Sequence, residues 1–484
     1  MCSTRPPAIL CWPGSLVLAA SLACKTPSND TPSPWADSGL SANSSAPTPV
    51  QRFFDWTDLC FEPEEYAQRR SRLMARLAKD GGGVFLAPSA VGRSLGGTFR
   101  QLDDFEYLTG LELPDSVLAL DADRNRVTLF LPDHDARFAS SSRRNDFPGR
   151  PLGADPEIGR RSGLSDLRPA TEFEDQLIAW EADQRQVRLP LRDLESPPSE
   201  AGWVHPRTPL ESLASHISRT HPELDLRSGF AQIAALRSVK SAAEIRTVRA
   251  ACDITCDAIR HAARFVRDGV SERDLEAELE AAFKRGGAQR LAFDSIIKSG
   301  PNSLWPWRIL AAQYDRRNRV MRSGELVIFD VGCELDRYAS DIGRTFPVSG
   351  RFSATQRAAL EMVNSVSDEI IAAIRPGITL RQLQEVAVAA IPEHERPHMQ
   401  TGLFFGHPIG LNVGDAMPDD FELQPGTIFT VEPWYYNHSS NLAVFVEDNI
   451  LVTRQGSENL TADLPRSPAD LERLMENSDR SAGH

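Results

Sequence analysis

Three apolar stretches in the C-terminal half of the chain each run into an acidic residue, and nothing else in the sequence constrains the fold as strongly. Residues 326–329 lead into Asp330, 427–431 into Glu432-Pro433, and 442–446 into Glu447-Asp448. A fourth acid, Asp341, lies beyond a turn near 334–337, in the polar–apolar segment SDIGRTFPV. Apolar runs of this length read as buried strands. One acid closing such a strand is ordinarily a water-exposed cap. Four of them, with His407 in the glycine-flanked GHPIGLNVG, are harder to explain that way. Carboxylates facing one another in a buried setting repel, and a lone buried charge costs on the order of several kcal/mol, so each needs a cation. Four carboxylates and one imidazole suit a pair of hard or borderline divalent ions such as manganese, cobalt or zinc.

The same half contains an internal echo. Arg-Asp-Gly-Val-Ser (267–271) precedes a helix starting near Glu272, and Arg-Pro-Gly-Ile-Thr (375–379) precedes one starting near Leu380. A long helix with its own cap, at Ser241 and at Ser353, stands before each turn, and strand-like sequence follows each. Ser241-Ala-Ala-Glu244 is a capping box, in which serine and glutamate each satisfy an orphan amide. Two such halves suggest a duplication, with paired helices in each half backing one shared curved sheet.

At 484 residues the chain is too long for one ordinary core, so two folded domains are expected. Helical periodicity over 63–79 and the buried-strand patterns GGVFLAP, SVLALDA and RVTLFLP place an α/β domain ahead of the acidic strands. A net charge of −14 argues against nucleic acid as a partner, because phosphates need a basic face. Cys252 and Cys256 share a helix face and read as core residues; the seven cysteines form no disulfide framework.

The first 24 residues have the pattern of a targeting segment. Arg5 precedes the short apolar stretch SLVLAASLA, and Cys24 follows at once, as in a bacterial lipoprotein signal. Residues 25–56 open with a Ser/Pro/Thr-rich run and read as a tether. The domain order is then a signal segment (1–24), a tether (25–56), an N-terminal domain (57–226), a C-terminal domain (227–475) and a tail (476–484). Export to the cell envelope or periplasm, with membrane anchorage through a lipid on Cys24, is the expectation; a cytoplasmic protein is the alternative.

These motifs resemble those of the pita-bread metallopeptidases, in the aminopeptidase P (Xaa-Pro aminopeptidase) branch. FDVGCELDRYASDIGRTFPVSGRFSATQ is close to that family's pattern for its two aspartates, and GHPIGLNVGD, TVEPWYY and VEDNILVT to its histidine and glutamate motifs. FRQLDDFEYLTGLELPDSVLALD resembles its N-terminal domain, so the likeness spans about 57–475. The resemblance implies an aminopeptidase P-type α/β domain followed by a pita-bread domain. It implies two divalent ions, manganese first, with Asp330 on one, His407 and Glu432 on the other, and Asp341 and Glu447 bridging. A hydroxide activated by both ions would attack the scissile carbonyl of a peptide, with Glu432 taking the proton. Relatives often form homo-oligomers, and the same is expected here.

Four departures stand against this likeness. Gly414 and Leu403 occupy positions where the family carries histidines, and a third family histidine falls near Gln313, beside the inserted WPWRILAAQ. Phe445 replaces an arginine two residues before Glu447. Gln313, Tyr436 and Phe445 are therefore the candidate substrate-contacting residues, with His398 and His438 as further substitutes for the missing groups. Glu432 and His407 carry the catalytic expectation. The leading function is a dinuclear metalloaminopeptidase acting on short peptides, including Xaa-Pro. The alternatives are hydrolysis of another small amide or ester at the same site, and a non-catalytic peptide-binding derivative.

Overall fold

The amphipathic run at the start of the ordered chain forms one helix, Pro63–Lys79, begun by a proline in its first turn and burying Tyr66, Leu73 and Leu77. The computed structural model describes residues 54, 57–92, 99–132, 156–192, 208–305, 318–399 and 405–476. Cys24 and all of the tether except Phe54 lie outside the described residues, as do Gln313, Leu403 and all of the WPWRILAAQ segment except Trp305.

The three strand patterns of the N-terminal half become Val84–Pro88, Val117–Asp121 and Arg126–Leu131, paired antiparallel. Parallel strands complete a six-stranded mixed sheet: Asp166–Pro169 beyond one edge, and Gln186–Leu189 and Asp225–Ser228 beyond the other. Helices Phe173–Ala182 and Pro209–Thr220 cover one face, burying Leu177, Trp180 and Ile217 against Val84, Leu86 and Phe130.

In the C-terminal half the duplication is written into the backbone. Helix pairs Ala242–Ala263/Glu272–Arg285 and Ala354–Ala373/Leu380–Ala390 begin at Ser241, Ser271, Ser353 and Thr379. Each of these four residues caps its helix with a reciprocal side-chain box. The two turns are built alike. Gly269 and Gly377 both take a left-handed φ, at 85° and 88°, and donate their N–H to Met321 O and Leu423 O. Met321 and Leu423 answer by donating to Val270 O and Ile378 O.

Each turn thereby anchors the chain just ahead of an acidic strand. Leu326–Val331 pairs antiparallel with Ile342–Pro347, and Ile428–Val431 with Asp448–Thr453. Between the first two strands, left-handed Asp336 and Arg337 close a tight turn between short strands Cys333–Leu335 and Tyr338–Ala339. The halves meet at Gly343, which pairs with Asp330 on one side and with Glu447 on the other. Cys252 and Cys256 pack in the core beneath, as their spacing implied.

Candidate metal centre

The strand pairing alone brings the acids together. Asp330 and Glu447 flank the backbone of Gly343, while Asp341 and Glu447 each sit one residue ahead of a returning strand. Asn449 fixes the start of the first of these strands, accepting the N–H of Asp341 at 3.2 Å and donating to its carbonyl. The segment carrying His407 runs beside Ile428–Val431: Thr430 N–H donates to His407 O, and Glu432 N–H donates to Phe405 O. His407 Nε2 then lies 3.4 Å from Asp341 Oδ2 and 3.3 Å from Glu432 Oε1. Its Nδ1 faces Pro408 O at 3.3 Å. That contact places the ring proton on Nδ1 and leaves Nε2 as the ligand, the arrangement usual for a metal-binding imidazole. Donor atoms of Asp341, His407 and Glu447 all fall within 4.8 Å of one another.

The five expected residues thus occupy one cluster, and its acids, Asp330, Asp341, Glu432 and Glu447, are all buried. His407, whose side chain is 30% exposed, forms its open side. Burial, then the charges of Asp341 and Glu432, push the Asp330 carboxyl well above its ordinary range. Burial followed by Asp341, Glu432 and Asp330 does the same to Glu447. Glu432 is pushed up to about 7 by burial, against the lowering effect of His407. Burial would lower His407, but its hydrogen bond to Asp341 and the charge of Glu432 push it up to about 9.

Protein groups relieve this repulsion only at Glu432 and at one Asp341 oxygen. Asp330 Oδ2, Asp341 Oδ1 and both Glu447 oxygens are buried without a hydrogen-bond donor among the described residues. Orphaned buried carboxylate oxygens are costly unless a cation meets them. The donor set, four carboxylates and one imidazole, fits hard or borderline divalent ions.

Glu432 is held differently from the other three acids. Thr430 hydroxyl donates to its Oε1 and Trp434 Nε1–H to its Oε2, both at 3.3 Å. Trp434 belongs to an apolar layer beside the acids, formed with Tyr436, Phe445, Ala443, Ile328 and Leu304. Tyr436 stacks on Trp434 with centroids 5.5 Å apart. Phe445 is fully buried, and the Thr345 hydroxyl satisfies both its N–H and its carbonyl. An added Cβ at Gly343 would collide with the Phe445 ring, so the glycine makes room for the aromatic.

The histidines offered as substitutes make other contacts. His398 packs edge-on against Tyr435, whose side chain points to the opposite strand face from those of Trp434 and Tyr436. His438 packs on Trp305. Open space surrounds Gly414, whose N–H is taken by the Asn412 side chain. Sequence reasoning missed Trp434 as a partner of Glu432. Its only signal was an indole donor two residues along the chain.

Comparison with known proteins agrees with this geometry. Residues 246–454 match metallopeptidase family M24, and residues 66–187 match the aminopeptidase P N-terminal domain. The Escherichia coli (strain K12) Xaa-Pro aminopeptidase is 29% identical over 457 residues, covering 85% of this chain and 97% of that protein. Mitochondrial intermediate cleaving peptidase 55 of Arabidopsis thaliana is 27% identical, covering 86% of this chain and 83% of that one. The structure of a putative aminopeptidase P from Bacillus anthracis superposes with a TM-score of 0.73 at 25% identity, covering 86% of this chain and 99% of that one. The acidic half is therefore an M24 metallopeptidase module. With its second module in front, the chain resembles the Xaa-Pro aminopeptidases in both modules.

Proposed function

We propose that this metal-dependent aminopeptidase cleaves the N-terminal residue from short peptides, and that it does so slowly or selectively at Xaa-Pro bonds. The observation that carries the reading is the buried cluster of Asp330, Asp341, His407, Glu432 and Glu447 with its orphaned carboxylate oxygens. In this reading Asp330 holds one divalent ion, His407 and Glu432 hold a second, and Asp341 and Glu447 lie between them. Manganese is the first choice, with cobalt and zinc as alternatives. Bound ions supply a nucleophile at neutral pH and polarise the scissile carbonyl.

The chain's own residues do the rest. Glu432, steadied by Thr430 and Trp434, is the proton acceptor. The Trp434–Tyr436–Phe445 layer excludes water and presents an apolar wall where the family carries a cation. A positioned acid–base group typically contributes about 10²–10⁴-fold, so a site lacking the family's accessory histidines and arginine should be slowed, not silenced. The same aromatic replacement at Phe445 also favours a second reading, hydrolysis of another small apolar amide or ester.

A peptide-library digest with manganese-reconstituted protein, comparing wild type with Glu432→Gln, tests the proposal. Slow cleavage biased toward apolar residues, abolished in Glu432→Gln, is expected. Rapid general Xaa-Pro cleavage would show that another residue replaces the missing groups. Absence of any peptide, ester or amide cleavage with metal bound would favour a binding derivative. The proposal extends to an exported homo-oligomer lipidated at Cys24. Fatty-acid labelling of wild type against Cys24→Ala, and light scattering of the purified chain, decide those two points.

A further inference from the structure

The N-terminal module carries a second group of metal-ligating side chains, on two helices that take no part in the carboxylate cluster. Helix Phe173–Ala182 turns Leu177 and Trp180 into the core, and Glu174 and Glu181, two turns apart, lie along the edge beside Leu177. Helix Pro209–Thr220 buries Ile217, and His221 ends it by donating its N–H to Ile217 O at 2.8 Å. His216 stands beside Ile217 on the same helix.

The four side chains form a layered arrangement. Both Glu174 oxygens face an imidazole Nε2: Oε2 lies 2.9 Å from His216 and Oε1 lies 3.0 Å from His221. On the far side of the His221 ring, Nδ1 lies 3.2 Å from Glu181 Oε2. Glu181 is itself held, its Oε1 accepting the backbone N–H of Glu223 at 3.1 Å. A carboxylate behind Nδ1 with Nε2 turned toward further donors is the orienting pattern of metal-bound histidines. Donor atoms of Glu174, His216 and His221 lie within 4.8 Å of one another. Around zinc, with bonds of about 2.0 Å, tetrahedral ligands stand about 3.3 Å apart. Shifts of a few tenths of an ångström bring the Glu174–imidazole contacts to that spacing, and the two imidazoles, with donor atoms within 4.8 Å of each other, close by up to about 1.5 Å. Glu174 and His216 are partly exposed, so an ion has a path in and a water can take a fourth position.

We propose that Glu174, His216 and His221, oriented by Glu181, form a surface site for one borderline divalent transition-metal ion, zinc foremost. Two imidazoles and one carboxylate favour zinc, cobalt or nickel over magnesium and calcium, in contrast to the acid-rich peptidase centre. An ion there clips helix Phe173–Ala182 to the end of helix Pro209–Thr220. The inference is independent of the peptidase reading, because no residue is shared.

The test counts zinc. Metal-free full-length wild type, His216→Ala and Glu174→Gln are saturated with zinc under a competing chelator, and bound zinc per chain is measured. Both variants should hold one equivalent fewer than wild type. Glu181→Gln should keep the equivalent but bind it about 10–100-fold more weakly, as expected for an orienting partner. Manganese-dependent peptidase rates should not change in His216→Ala, and its circular dichroism melt confirms folding. Equal zinc counts in wild type and both folded variants would overturn the proposal and leave an ion-paired surface cluster. A loss of peptidase metals without a change in this difference would count against the peptidase reading alone.

Discussion

Phe445 lies over Trp434 with ring centroids 3.5 Å apart and planes inclined by 21°. Strand pairing places the two residues directly opposite each other. Trp434 donates to Glu432 two residues back along the chain, and Phe445 stands two residues ahead of Glu447 on the partner chain segment. The aromatic layer and the acids are therefore built on the same turns of backbone. A change in the rings should reach the carboxylates.

Gly343 is the structural condition for that layer. Its backbone joins Asp330 to Glu447, and any Cβ there would strike the Phe445 ring, which the Trp434 stack keeps from moving aside. Gly343→Ala should cost about 1–3 kcal/mol through overpacking. Phe445→Leu in the same chain should recover part of that loss. Urea unfolding of the two single variants and the double variant measures the coupling. Simple additivity would mean the ring and the glycine are not in conflict.

Trp434→Phe keeps an aromatic ring in the stack but removes the indole donor to Glu432. That donor lowers the Glu432 carboxyl, opposing the rise caused by burial. Without it the group should hold its proton to higher pH. The acidic limb of the kcat/KM profile should move upward. An unmoved limb with a reduced plateau would place Trp434 in packing alone.

The metal stoichiometry should respond differently to each ligand. Asp341→Asn or Glu447→Gln should abolish binding of both ions if each lies between the two, whereas His407→Ala should weaken mainly one. Elemental analysis after manganese reconstitution reads the difference. Fewer than one divalent ion per wild-type chain would sink the dinuclear reading.

In the metal-free chain, stability should fall as pH rises from 6 to 9. His407 holds its proton to about 9, above its ordinary 6.5, and Glu432 to about 7, above its ordinary 4.5. Such raised groups stabilise the fold fully below their unfolded values, and that contribution is lost as pH passes through the folded ones. A divalent ion displaces those protons, so added manganese should stabilise most at the alkaline end. Thermal melts in chelator and in manganese at pH 6, 7.5 and 9 test both statements. A flat metal-free curve would mean that the acids do not share protons as their burial requires.

Strand periodicity made the cluster legible, because an acid at the end of an apolar run has few places to go. Asp330, Glu432 and Glu447 followed from that pattern, Asp341 from the turn that returns the chain beside Asp330, and the helix caps at Ser241 and Ser353 from local chemistry. The contents of the apolar layer were less visible: Phe445 could be read as replacing a cation, but its stack on Trp434 depends on cross-strand register. Substitution by His398 fails because Tyr435 and Tyr436 point to opposite faces. Glu174, His216 and His221 left no motif at all, since a contact between two helices has no fixed sequence spacing.

A last relationship ties the N-terminal module to His407. Asp415 is buried between Arg237 and Lys240; Arg237 also binds Asp103 and Asp104, and Lys240 Nζ stands 3.2 Å from Asp415 Oδ2. Burial would raise the Asp415 carboxyl, but Arg237 and Lys240 hold it below its ordinary value. The backbone N–H of Asp415 donates to Pro408 O at 2.9 Å, and the same carbonyl faces His407 Nδ1. The ion network thus fixes the oxygen that selects the His407 tautomer. Asp415→Ala leaves two buried cations short of a partner and should cost about 3–5 kcal/mol. Loosening Pro408 should also weaken divalent-ion binding about tenfold, the lower end of what an orienting partner supplies. Urea unfolding and manganese titration of the folded variant separate the two effects. A large stability loss with unchanged manganese affinity would show that Pro408 keeps its place without Asp415.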